Sequence, residues 1–87
     1  MQTDNRKEKI LQKAGFRYSF ERSLYFNRDS KKAISHEAVE DHDSDWLRNV
    51  IASPNETDTW QFYFNRSIPY ATQRELLEFF GEYHAGP

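Results

Sequence analysis

Two histidines and five carboxylates crowd the segment His36-Glu37-Ala38-Val39-Glu40-Asp41-His42-Asp43-Ser44-Asp45. Imidazole nitrogen with carboxylate oxygen is a donor set that suits Zn²⁺ or Mn²⁺. His36, His42 and Asp43 are the residues such an ion would use. Their spacing argues against a ready-made site, because six positions match neither the i, i+4 of a helical His pair nor the i, i+2 of a strand pair. His36-Glu37 also lacks the second His of an H-E-x-x-H, since position 40 is Glu. The segment reads as a solvated loop leading into a helix that Asp43 or Ser44 caps.

Other catalytic chemistries find no foothold. The chain has no Cys, and its glycines stand alone at 15, 81 and 86. No Gly-x-Ser-x-Gly elbow and no phosphate-cradling loop is therefore present. The expectation is a protein that is not an enzyme and takes no cofactor.

Binding has more support. Arg17, Arg22, Arg28, Lys31 and Lys32 cluster beside Tyr18 and Tyr25, and cations beside sheet aromatics suit single-stranded nucleic acid. A sequence pI near 5.9 weighs against that partner. The favoured partner is protein. Tyr18, Tyr25, Tyr63 and Tyr70, with Arg28 and Arg66 at their edge, are residue types enriched where a surface is wet alone and apolar when paired. A symmetric homodimer is the expected form, its patch on the sheet face or edge carrying Tyr25, Tyr63 and Arg28.

The elements that must position these residues follow from periodicity. Residues 4–14 read as a helix capped by Thr3 or Asp4, with Ile10, Leu11 and Ala14 as its stripe and Gly15 as terminator. Phe16 to Phe20 alternates strictly, Leu24-Tyr25-Phe26 resumes the β pattern, and the two form a hairpin. Residues 31–36 are a weaker third strand. Trp46, Leu47, Val50 and Ile51 mark one face of a helix that Ser53-Pro54 stops. Residues 60–65 form the best-patterned strand. Thr72 to Glu75 matches a capping box ahead of Leu76, Leu77, Phe80 and Tyr83, with Gly81 as terminator. Tyr25-Phe26-Asn27-Arg28 recurs as Tyr63-Phe64-Asn65-Arg66, so two strands with matching ends are expected in one sheet.

These elements compose one α+β domain over 1–87, in the order α-β-β-(β)-α-β-α, with 1–3 and 84–87 frayed. Its sheet has three or four mainly antiparallel strands, and three short helices pack largely on one face. The expected core is Ile10, Leu11, Phe16, Phe20, Leu24, Phe26, Trp46, Leu47, Val50, Ile51, Trp60, Phe62, Phe64, Leu76, Leu77 and Phe80. The 14 aromatic residues outnumber the 12 Val, Ile, Leu and Met, so rings supply much of the buried area. Residues 1–32 carry nine Lys/Arg against four Asp/Glu, whereas 33–87 carry three against ten. No apolar run approaches the ~20 residues of a membrane span, and Met1 to Asn5 opens no signal peptide. A cytoplasmic protein is expected.

The phrases Gly-Phe-Arg-Tyr-Ser-Phe-Glu-Arg-Ser-Leu-Tyr-Phe-Asn-Arg (15–28) and Glu-Asp-His-Asp-Ser-Asp-Trp-Leu (40–47) resemble small bacterial proteins found among mobile gene-cassette products. The resemblance runs from Gly15 to Gly81. It implies a bacterial, cytoplasmic α+β protein and carries no activity, substrate or functional residue.

Overall fold

The computed structural model describes residues 5–81. The expected frayed ends, the cap at Thr3 or Asp4 and the place of Tyr83 lie outside them. Helix α1 spans Asn5–Lys13, followed by strands β1 (Arg17–Ser19), β2 (Leu24–Asn27) and β3 (Lys32–Ser35). Helices α2 (His36–Asp41) and α3 (Ser44–Ala52), strand β4 (Gln61–Tyr63) and helix α4 (Tyr70–Phe80) complete the chain.

Leu11 anchors α1 and is fully buried. Gly15 then turns the chain at φ +91°, where a Cβ would stand 3.1 Å from the Asn27 side-chain nitrogen. β1 and β2 form the expected hairpin, with Tyr18 opposite Tyr25. Residues 20–23 make its turn, and Ser23 adopts φ +53°. That turn lifts Phe20 out of the strand, so the ring expected in the core is 87% exposed. The weaker third strand does form. β3 runs antiparallel to β2, and all four of its residues are buried.

Segment 36–45 is not a solvated loop. Ser35 Oγ accepts a hydrogen bond from the Ala38 N–H at 3.0 Å and starts α2. Ala38 and Val39, the two apolar residues amid the acids, turn inward and are buried. After His42, Asp43 accepts from the Trp46 N–H at 2.9 Å and caps α3, as its side chain predicts.

The best-patterned strand is the least regular one. Only Gln61–Tyr63 pair, and they pair with neither hairpin strand: β4 lies parallel to β3, with Phe62 beside Ala33. The α2–α3 crossover imposes this, because two helices carry the chain across one face and return it in the same direction. The sheet order is β1-β2-β3-β4, mixed but mostly antiparallel. The two echoed strands do share it, separated by β3.

Both faces of the sheet are covered. Tyr25, Ile34 and Tyr63 face α1, α2 and α3, where Leu11, Val39, Leu47 and Val50 meet them. Leu24, Phe26 and Ala33 face the other way, against Trp60, Leu76 and Phe80. The expectation of helices on one face therefore holds for α1–α3 and is corrected for α4. A strand such as β2, buried at all four positions, has no face to leave in water. Helix α4 begins two residues before the expected capping box, directly after Pro69, and no side chain caps it. Gly81, at φ +84°, ends it as predicted. Ile10, Trp46, Ile51, Phe62, Phe64 and Leu77 are half-buried at the margins of the core.

The C-terminal end of each described helix is closed by a donor from elsewhere in the chain. Asn27 Nδ2 donates to Ala14 O at the end of α1, at 2.9 Å. Lys7 Nζ reaches Val39 O at 2.8 Å and His42 O at 2.6 Å at the end of α2. Arg28 Nε donates to Phe80 O at 3.1 Å at the end of α4. Lys32, only 1% exposed, donates to Val50 O at 2.6 Å, Ile51 O at 3.1 Å and Ser53 O at the end of α3. Exposed carbonyls and the negative end of the helix dipole account for the choice of cations.

Candidate interaction site

A groove of about 600 Å³ opens between α1 and the β1–β2 hairpin. Leu11 and Phe16, both buried, and Tyr25, 7% exposed, form its floor. Tyr18, 40% exposed, and Phe20 stand at its mouth, their ring centroids 5.7 Å apart. Phe16, Tyr18 and Phe20 all line the groove, although only Tyr18 lies within β1. Tyr18 lies 4.7 Å from the Tyr25 ring and 6.0 Å from that of His36. Glu8, Gln12 and Arg17 supply a polar rim.

Burial raises the Tyr25 phenol above its ordinary pKa of 10.0, and the carboxylate of Glu8, the Tyr18 phenol and Glu40 add to the shift. Tyr25 is therefore a neutral phenol at physiological pH. His36 Nε2 lies 2.9 Å from Glu40, and its buried Nδ1 has no partner among the described residues.

Among the described residues no strand pairs with the outer side of β1, and the hydrogen-bond pattern shows which groups face outward. Gln61 N–H donates to Lys31 O, and His36 N–H donates to Ser23 O, both at 2.9 Å. Residues 31 and 33 thus point toward β4, and 32, 34 and 36 toward β2. In an antiparallel ladder the direction alternates residue by residue. Tyr25 and Asn27 then bond β3, and Leu24 and Phe26 bond β1. Arg17 and Ser19 are consumed by β2, which leaves the Tyr18 N–H and C=O directed off the sheet.

The six residues expected to form one patch are dispersed. Tyr18 and Tyr25 meet at the groove, but Tyr25 is floor, not exposed surface. Tyr63 and Arg66 line a separate hollow of about 560 Å³ beside His42 and Trp46, across the sheet. Arg66 there pairs with Glu37 at 3.1 Å. Arg28 is on the opposite face, its guanidinium 5.0 Å from the Phe26 ring. Tyr70, 72% exposed, stands at the start of α4 near Arg74. The surface carrying Tyr25, Tyr63 and Arg28 together does not exist.

The metal alternative loses its geometry too. His36 pairs with Glu40, His42 stacks on Trp46 at 4.0 Å with Nδ1 2.9 Å from Ala38 O, and Asp43 caps α3. Among the described residues, no group of three or more His, Cys, Asp or Glu is placed to hold an ion. Four of the five residues of the basic cluster are likewise engaged. Lys32 and Arg28 close helices, Arg22 pairs with Glu21 and lies 4.3 Å over the Phe79 ring, and Lys31 pairs with Asp58. No described helix is long and apolar enough to cross a membrane.

Two features escaped the sequence reading. Alternation sends Phe20 inward, although the polar Glu21-Arg22-Ser23 that follows signals the turn that exposes it. The run of cations places Lys32 on the surface, although it shares strand parity with Ile34 and so points to the same covered face. Comparison with protein-family models, with curated proteins and with solved structures found no match to this chain.

Proposed function

We propose that this protein is a non-enzymatic protein-interaction module whose working surface is the groove between α1 and the hairpin, together with the open β1 edge. One observation carries the reading. Phe20, 87% exposed, stands with Tyr18 at the mouth of a groove floored by Leu11, Phe16 and Tyr25. A ring so exposed costs hydration free energy until something covers it, and exposed apolar surface beside a cleft marks interaction sites. The adjacent Tyr18 N–H and C=O add a backbone template, so the fitting ligand is an extended protein segment with alternate apolar side chains. The use of Lys32 and Arg28 to close helices removes two of the five basic residues from the surface cluster, which disfavours single-stranded nucleic acid. The resemblance to gene-cassette products supports a bacterial cytoplasmic setting.

The test is titration of ¹⁵N-labelled protein with a nine-residue peptide of alternating Leu and Thr. Amide shifts at residues 11–12 and 16–20, lost in Phe20→Ser, are expected. Shifts confined to the Tyr63–Arg66 side, or no shifts at millimolar peptide, overturn the reading.

A further inference from the structure

We infer that the occupant of this surface is a second copy of the same chain, added antiparallel at β1 with the two-fold axis through Tyr18. The inference rests on the function proposed above and gives the partner and its register. Three observations lead to it.

The first is the outward direction of the Tyr18 N–H and C=O. A two-fold axis at a residue with outward-facing groups lets the two copies exchange both hydrogen bonds, Tyr18 to Tyr18. An axis at Arg17 or Ser19 cannot, because those groups already bond β2.

The second is the pattern of rings. With the axis at Tyr18, Arg17 of one copy faces Ser19 of the second. Phe20, just beyond β1 in the turn, is carried by the two-fold to the Phe16 end of the second copy, on the side where it stands with Tyr18 at the groove. Phe16 is part of the floor of the groove. The exposed ring thus arrives over the second copy's groove, and the reverse happens on the other side of the axis. A surface that carries both the protruding ring and the cavity that takes it is self-complementary, as a two-fold interface requires.

The third is charge. On the opposite face Arg17 falls beside Ser19 of the second copy, so no like charges stand directly opposite each other. Glu21 of the second copy, in the turn just beyond β1, comes to the end of the strand where Arg17 stands. Glu21 can swing there, since its side chain is 85% exposed and, among the described residues, pairs with neighbouring Arg22 alone. It offsets the approach of the two Arg17 side chains along the diagonal. β1 holds no proline, and its only guards against edge pairing are its three-residue length and the charge of Arg17.

The contact is small, three residues of strand and two ring insertions, so it belongs with interfaces at or below standard size and saturates only at about 100 µM to 1 mM. The chain contains no cysteine, which makes the axis directly testable. Residues facing each other as a hydrogen-bonded pair have Cα atoms about 5.5 Å apart, inside the range a disulfide spans. Under mild oxidation Tyr18→Cys is expected to yield a covalent dimer, and Glu56→Cys, far from the axis, is not. Adding Phe20→Ser to Tyr18→Cys should slow the cross-link by about tenfold or more. For the unmodified chain, sedimentation equilibrium should give an average mass that rises with concentration from the 10.4 kDa of the monomer toward twice that value at about 1 mM. It should stay at the monomer in Phe20→Ser with an unchanged circular dichroism spectrum.

A wild-type mass that stays at one chain, or equal cross-linking of Tyr18→Cys and Glu56→Cys, overturns the second copy. In that case the peptide titration decides the broader reading. A monomer that still binds the peptide at residues 16–20 retains the proposed function with another partner, and a monomer that binds nothing loses both.

Discussion

Replacing Lys32 with Met keeps the length of the side chain and removes its charge. Lys32 is 1% exposed and donates to three carbonyls at the end of α3. Met leaves three carbonyls at the end of α3 without their donor, at about 1–3 kcal/mol for each one left unpaired. The charge itself adds nothing net, because burial lowers the Lys32 pKa and so disfavours the ammonium. Removing the ammonium also removes its own desolvation penalty, which offsets part of that sum. The expected net loss is about 3 kcal/mol, a large fraction of the ~4–13 kcal/mol of a domain this size. At roughly 4–8 °C per kcal/mol, Lys32→Met should melt some 12–24 °C below wild type, whereas exposed Lys9→Met should change little. The pH dependence has a definite sign. Burial lowers the Lys32 pKa from its ordinary 10.5. In the window just below 10.5 the unfolded chain therefore binds more protons than the folded one, and wild-type stability rises with pH there. Lys32→Met lacks that rise, so the gap in melting temperature should widen from neutral pH toward 10.5. Thermal melts by circular dichroism measure both effects. A gap under about 3 °C at neutral pH would refute the view that Lys32 holds α3 to the sheet.

Asn27→Ala removes the α1 cap and the acceptor for the Asp29 and Ser30 N–H groups, and should cost about 1–3 kcal/mol in urea melts. Gly15→Ala should cost ~1–2 kcal/mol in the same assay, because it places a Cβ at φ +91° close to that amide. Asp43→Ala should lose about 1 kcal/mol, the usual contribution of an N-cap. Millimolar Zn²⁺ or Mn²⁺ should leave the melting temperature unchanged, because His36, His42 and Asp43 already serve separate partners. A large, chelator-reversible rise would contradict that assignment.

Local pattern made much of this fold legible. The period-2 run at 16–20 and Gly15 located the hairpin and the end of α1, and the Asp43 side chain located the start of α3. What remained hidden depended on contacts distant in sequence. β4 carries the strictest alternation, yet its partner, its parallel direction and its short length are set by the α2–α3 crossover. α2 was concealed because five acids dominate 36–45, while only Ser35, Ala38 and Val39 signal a helix. Part of the site was readable as Tyr18 and Tyr25. The separation of Arg28, Tyr63 and Arg66 was not, because it follows from strand order and from α4 covering the second face. Alternation also misplaced Phe20, since periodicity cannot show where a strand yields to its turn.

The closing of helix ends by distant donors has a consequence for the order in which the chain is made. Synthesis runs from the N-terminus, and segments begin to organise as they emerge. Lys7 precedes α2, Lys32 precedes α3 and Arg28 precedes α4. Each of these helices leaves the ribosome with its closing cation already made, and only α1 must wait, for Asn27. The hairpin that delivers Asn27 and Arg28, with Lys32 just behind it, is therefore the part of the nascent chain on which the other elements depend.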